Sequence, residues 1–102
     1  MSQDQFDTDV VTKKKPKSKK PRLYKVIFHN DDYTTMEFVV FVLETVFRKG
    51  PAEAAQIMLR IHNQGTGVAG IYAREIAETK VDTTMELART HGQPLMVTME
   101  PE

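Results

Sequence analysis

A chain of 102 residues, 40% of them apolar, supplies one small core and one domain. It has no cysteine, which excludes disulfide staples and thiolate chemistry and weakly favours a reducing compartment. The net charge of zero hides a segregation: residues 1–22 hold seven basic and three acidic side chains, net +4, and residues 23–102 hold seven basic and eleven acidic, net −4.

The acidic body argues against a nucleic-acid-binding core and suits a positively charged partner. No apolar run approaches the roughly 20 residues that span a bilayer, so no membrane role is expected. Met1 to Asp9 is polar and acidic, unlike a secretory signal. These features predict a soluble, cytoplasmic protein.

Residues 1–21 are rich in Lys, Pro, Ser and Asp and have little to bury. They are expected to form a disordered basic arm, ahead of a folded domain over residues 22–102. No aromatic residue interleaves Lys13 to Lys20, which favours a solvated arm over a single-strand nucleic-acid clamp.

Leu23 to His29 reads as a strand, with Tyr24, Val26 and Phe28 on one face and Leu23, Lys25, Ile27 and His29 on the other. Asn30-Asp31-Asp32 ends it with turn and cap residues. Thr34 and Glu37 have capping-box spacing and predict a helix start there. Met36, Val39, Val40, Leu43, Val46 and Phe47 form an apolar stripe, which Phe38, Phe41 and Val42 widen, so this helix is expected to be buried on most sides. Its valines and phenylalanines are poor helix formers, so packing must hold it.

Gly50-Pro51 ends that helix and opens a second, from about Pro51 to Asn63. Ala54, Ala55, Ile57, Met58, Ile61 and His62 share its apolar side. A core histidine with one backbone partner and an exposed nitrogen acceptor fit that spacing equally well. Gly65 and Gly67 break the helix, and Val68 to Ala73 predicts a strand. A third helix follows, with Ile76, Ala77, Val81, Thr84, Leu87 and Ala88 inward and Glu75, Glu78, Lys80, Asp82 and Glu86 outward. Gly92 and Pro94 stop it, and Leu95 to Met99 is the last strand. The order β-α-α-β-α-β predicts a small two-layer α/β (α+β) sandwich, with a three-stranded antiparallel sheet and three helices.

Catalytic constellations are scarce. Both serines, Ser2 and Ser18, lie in the arm, and His29, His62 and His91 fall on different elements. Asp31 and Asp32 are adjacent and tend to diverge, so a paired-carboxylate site needs an acid from elsewhere. Asn30-Asp31-Asp32 lacks the Gly and Glu of a calcium loop, and Gly65-Thr66-Gly67 lacks the Lys of a phosphate loop. No enzyme, metal or cofactor is expected.

Binding fits better. Asn30, Asp31, Asp32 and a neutral His62 offer acceptors, beside the apolar Met36, Val39 and Met58. Such a group suits a ligand with an ammonium head and an apolar arm, and a free protein N-terminus is one. On the residues alone a plainer reading still wins: Asp31 and Asp32 cap a helix, Met58 fills core, and nothing in the spacing brings His62 to Asn30.

Val26 to Val39, with Asn30-Asp31-Asp32-Tyr33-Thr34 at its centre, resembles the signature of the ClpS adaptor family. The resemblance continues through Met58 to Gly65, Glu75 to Lys80 and Pro94-Leu95, and spans residues 22–102. It implies a non-catalytic adaptor that binds substrates beginning with Leu, Phe, Tyr or Trp, the N-degrons of the bacterial N-end rule; separately, no sizeable exposed apolar stripe suggests assembly, so a monomer is expected. Delivery would be to the N-domain of the AAA+ unfoldase ClpA, which feeds ClpP, and the adaptor would modulate ClpA's substrate choice. By matching position, Asn30, Asp32 and His62, with Asp31 on the same rim, would hold the α-amino group. Thr34, Met36, Val39, Met58 and Leu95, with Ile27 nearby, would form the pocket. Met36 would bar β-branched first residues, whose second Cβ substituent meets it at the mouth. Tyr33, Glu75, Glu78 and Lys80 would face ClpA. Thr35 departs from a Pro found in many relatives, and the lysine-rich arm is not a shared motif. The alternative reading is a non-catalytic interaction scaffold of the same shape without N-degron binding, and a small hydrolase using Asp32 and His62 is a third.

Overall fold

Val26 and Phe28 are fully buried, and alternation along one strand makes them the floor of the core. The computed structural model describes residues 20–102. Residues 1–19, most of the expected disordered arm, lie outside the described residues. Strand β1 (Leu23–His29) is central in a sheet ordered β2-β1-β3, with β2 at Thr66–Ala73 and β3 at Met96–Pro101. Both pairings are antiparallel. Helices α1 (Met36–Thr45), α2 (Pro51–Gln64) and α3 (Arg74–Thr90) complete the expected β-α-α-β-α-β order.

The core joins Val26, Phe28 and Val97 of the sheet to Val42 and Leu43 of α1, Ala54 and Ile57 of α2, and Ala77 and Ala88 of α3. Phe47 packs its ring edge-on against Phe28, with centroids 5.4 Å apart. The opposite face of the sheet leaves Leu23, Ile71 and Met96 exposed.

Strand β2 carries a feature that alternation does not predict. Val26 pairs with Gly70 and Ile27 with Val68, so Ala69 is an extra residue, a β-bulge. The bulge resets the parity, so Ile71 turns outward and Tyr72 packs against the core. A Cβ on Gly70 would collide with the Tyr72 ring, so a side chain is barred there.

Several boundaries differ from expectation. Helix α1 starts one residue later than the Thr34–Glu37 box implies. Thr35 is the N-cap, and its hydroxyl accepts from Phe38 N at 3.1 Å. Thr34 instead belongs to the loop, where its hydroxyl and its N–H both donate to Asp31. The helix ends at Thr45 rather than running to Gly50, and Arg48 takes a left-handed φ of 58° in the connection. Phe47 is buried from that connection, not from the helix. Helix α1 is not buried on most sides: Phe41 and Met36 are 45% and 44% exposed. Ile76, expected inward on α3, is exposed. Strand β2 begins at Thr66 rather than Val68, and Leu95 lies just before β3, not inside it. Among the described residues no helix is long and apolar enough to cross a membrane.

Candidate functional site

The β1–α1 loop is held by side chains rather than by helix bonds. Asp31 Oδ1 accepts from Tyr33 N at 2.8 Å and Thr34 N at 2.7 Å, and its Oδ2 accepts from the Thr34 hydroxyl at 2.6 Å. Partial burial pushes the Asp31 carboxyl up, but the hydrogen bonds from the Thr34 side chain, Thr34 N and Tyr33 N together draw it below its ordinary range. Thr35 N donates to Gln93 Oε1 at 3.0 Å, in the segment between α3 and β3.

The other half of the site comes from α2. Gly65 ends that helix at φ 93°, a left-handed C-cap, and its N–H closes on Ile61 O at 2.9 Å. Asn30 N donates to Gly65 O at 2.8 Å, which continues the β1–β2 pairing one residue past His29 and Thr66. That bond carries the last turn of α2 to the loop, and His62 with it.

The result is a cavity of about 230 Å³. Its lining combines His29, Asn30, Asp31, Asp32, Thr34 and His62 with Met36, Val39, Met58, Ile61 and Leu95. Val39, Ile61 and Leu95 are buried and make the deep wall, while Met36 is half-exposed at the mouth. Asn30, Asp32 and His62 are exposed there, where they can face a ligand. His62 is therefore not a core histidine. Asp31 is different, since both its oxygens are engaged in building the loop.

Of the expected wall residues, Thr34, Met36, Val39, Met58 and Leu95 line the cavity, and Ile27 does not. Strand parity sends Ile27 to the opposite face, beside Val68 and Thr98. Sequence reasoning missed Ile61 and His29 as lining. Ile61 was legible as the residue that follows Met58 by one turn; His29 was not, and one of its ring nitrogens lies 2.8 Å from the Thr98 hydroxyl.

The residues expected to face a partner separate. Tyr33 is 81% exposed in the β1–α1 loop. Glu75 and Glu78 are exposed on α3, and Glu78 pairs with Arg74 at 3.3 Å. Lys80 is half-buried: its Nζ donates to Val46 O at 2.6 Å and lies 5.8 Å from the Phe47 ring centroid and 5.6 Å from that of Tyr72. That ammonium ties α3 to the end of α1 instead of projecting outward. Burial pushes the Tyr72 hydroxyl pKa up. Among the described residues no group of three His, Asp or Glu could hold a metal ion.

A family model described as "ATP-dependent Clp protease adaptor protein ClpS" matches residues 19–98. The ATP-dependent Clp protease adapter protein ClpS of Desulfatibacillum aliphaticivorans is 55% identical over 94 residues, 92% of this chain and 90% of that protein. The protein of the same name from Parvibaculum lavamentivorans is 58% identical over 95 residues, 93% of this chain and 86% of that protein. The solved structure of Agrobacterium tumefaciens ClpS2 bound to L-phenylalaninamide superposes with a TM-score of 0.78 at 44% identity, covering 81% of this chain and 100% of that one.

Proposed function

The chain belongs to the ClpS family of ATP-dependent Clp protease adaptor proteins, and from that membership we propose that it binds N-degrons. It takes substrates with a free N-terminal Leu, Phe, Tyr or Trp and delivers them to ClpAP through the N-domain of ClpA. One observation carries this reading: exposed acceptors from the β1–α1 loop and from the end of α2 converge on the mouth of one cavity whose deep wall is apolar. At about 230 Å³ the cavity is smaller than sites for drug-sized ligands and suits one side chain. The ligand of the similar ClpS2, a phenylalanine amide, carries what the first residue of a Phe-first chain would present: an ammonium, a benzyl arm and an amide.

The chemistry follows from charge and shape. An ammonium leaving water needs charged or strong acceptors. Asp32 supplies the charge, Asn30 an amide oxygen, and neutral His62 a nitrogen lone pair. Asp31 shapes the loop that presents them, a role its engaged oxygens support. Leu and the aromatic residues branch at Cγ and pass Met36; Ile and Val branch at Cβ and meet it. The adaptor contributes binding and positioning, and the ATP-dependent protease contributes the chemistry. Exposed Glu75 and Glu78 on α3 offer ClpA an acidic surface, with Lys80 supporting it from beneath.

Anisotropy with labelled Phe-first and Ile-first peptides tests the site. The expected result is saturable binding of the Phe-first peptide, much weaker binding of the Ile-first one, and a loss of at least tenfold in Asp32→Ala, on the order of 1.5–3 kcal/mol for a charged hydrogen bond. Failure to bind the Phe-first peptide would leave only the scaffold reading, equal binding of both peptides would remove the Met36 gate, and an indifferent Asp32→Ala variant would remove Asp32 from the ammonium site.

A further inference from the structure

Met36 is 44% exposed, yet a gate discriminates only if its position is fixed. What fixes it is the backbone of the turn it opens, and that turn is bracketed by a segment 58 residues away in the sequence. Thr35, the N-cap immediately before Met36, donates its N–H to Gln93 Oε1 at 3.0 Å. The donor is a backbone amide, so the side-chain atom facing it must be the oxygen of Gln93. Two residues earlier in that segment, the His91 ring lies 5.6 Å from the Phe38 ring on the same first turn. His91 is itself held, with Nδ1 2.9 Å from Leu87 O at the end of α3. Two residues later, Leu95 is buried in the pocket wall. One short segment, 91–95, therefore holds the turn that carries the gate and supplies the wall that faces it.

We infer that Gln93 is a positioning residue for specificity: its hydrogen bond to Thr35 N sets where Met36 stands at the mouth, and so sets how strongly the pocket rejects β-branched first residues. This rests on the N-degron reading and deepens it. Gln93 does not line the cavity, and its effect passes through the N-cap. Without its oxygen, the Thr35 N–H turns to water, the first turn loosens, and Met36 can yield to a branch at Cβ. Asp31 holds the preceding two amides but does not reach this one, so Gln93 is not redundant with it.

The test is the ratio of affinities for Ile-first and Phe-first peptides in the full-length chain, measured by competition. Gln93→Ala is expected to narrow that ratio roughly three- to tenfold, the range that one neutral hydrogen bond supplies. Gln93→Glu keeps an oxygen in reach of Thr35 N and is expected to restore it. In a Met36→Ala background, Gln93→Ala is expected to add nothing further, since the gate is already absent. General loosening of the fold would weaken both peptides alike and would not be rescued by Glu. A ratio unchanged in Gln93→Ala, or narrowed again by Gln93→Ala in the Met36→Ala background, overturns the inference while Phe-first binding stands. A wild-type chain that fails to bind the Phe-first peptide overturns the pocket reading and this inference with it.

Discussion

Asp31 and Asp32 are chemically identical neighbours with different work. Asp31 turns inward to three donors within the loop, whereas Asp32 stays exposed at the mouth. Residue type and spacing do not separate them, because the choice is made by which carboxylate the loop's own amides can reach. The difference has a pH signature. In the folded state burial pushes the Asp31 pKa up, but the hydrogen bonds from Thr34 and Tyr33 together bring it below its ordinary value. Its contribution is therefore complete above the ordinary carboxylate range, near about 4, and is lost as the pH falls through the lower folded value. Asp31→Asn is expected to cost about 1 kcal/mol at neutral pH, with the gap to wild type shrinking as the medium is acidified. Urea midpoints taken between neutral and strongly acidic pH read this directly, and a gap that stays constant would contradict it.

Elements were legible where a local rule governs and hidden where tertiary contacts govern. Pro51 opens α2, Gly65 closes it, and β1 alternates as its residues require. The bulge at Ala69 was hidden, because it exists to seat Tyr72 against Phe47, with ring centroids 6.3 Å apart. The start of α1 was misplaced by one residue: Asp31 binds both the N–H and the hydroxyl of Thr34 within the loop, and Thr35 is the residue whose hydroxyl accepts from the first turn. Lys80 read as a surface charge, and only the packed ends of α1 and α3 reveal its carbonyl partner. Strand β2 approaches α2 closely: a Cβ on Gly67 would lie 2.7 Å from Ile61 Cγ1. Ile61 also lines the cavity. Gly67→Ala is thus expected to destabilise by about 1–3 kcal/mol and to weaken peptide binding as Ile61 is displaced into the pocket. Thermal melts and the same anisotropy assay check both, and a variant as stable and as tight-binding as wild type would contradict the packing argument.

For the whole molecule, the sequence carried the β-α-α-β-α-β order and most of the pocket's residues, but not their convergence. Asn30 and His62 meet because β1 and β2 run antiparallel in a register that sets Asn30 N on Gly65 O, and register is a property of the assembled sheet. The central claim is that this convergence recognises a charged N-terminus. Calorimetric titration of one Phe-first peptide against its N-acetylated twin tests it most directly. Acetylation removes the charge and leaves the acceptors unpaired, so the account predicts a loss of at least ~2 kcal/mol, roughly thirtyfold. Equal affinities for the two peptides would mean that the pocket holds the side chain alone and that the cluster of Asn30, Asp32 and His62 is not an ammonium site.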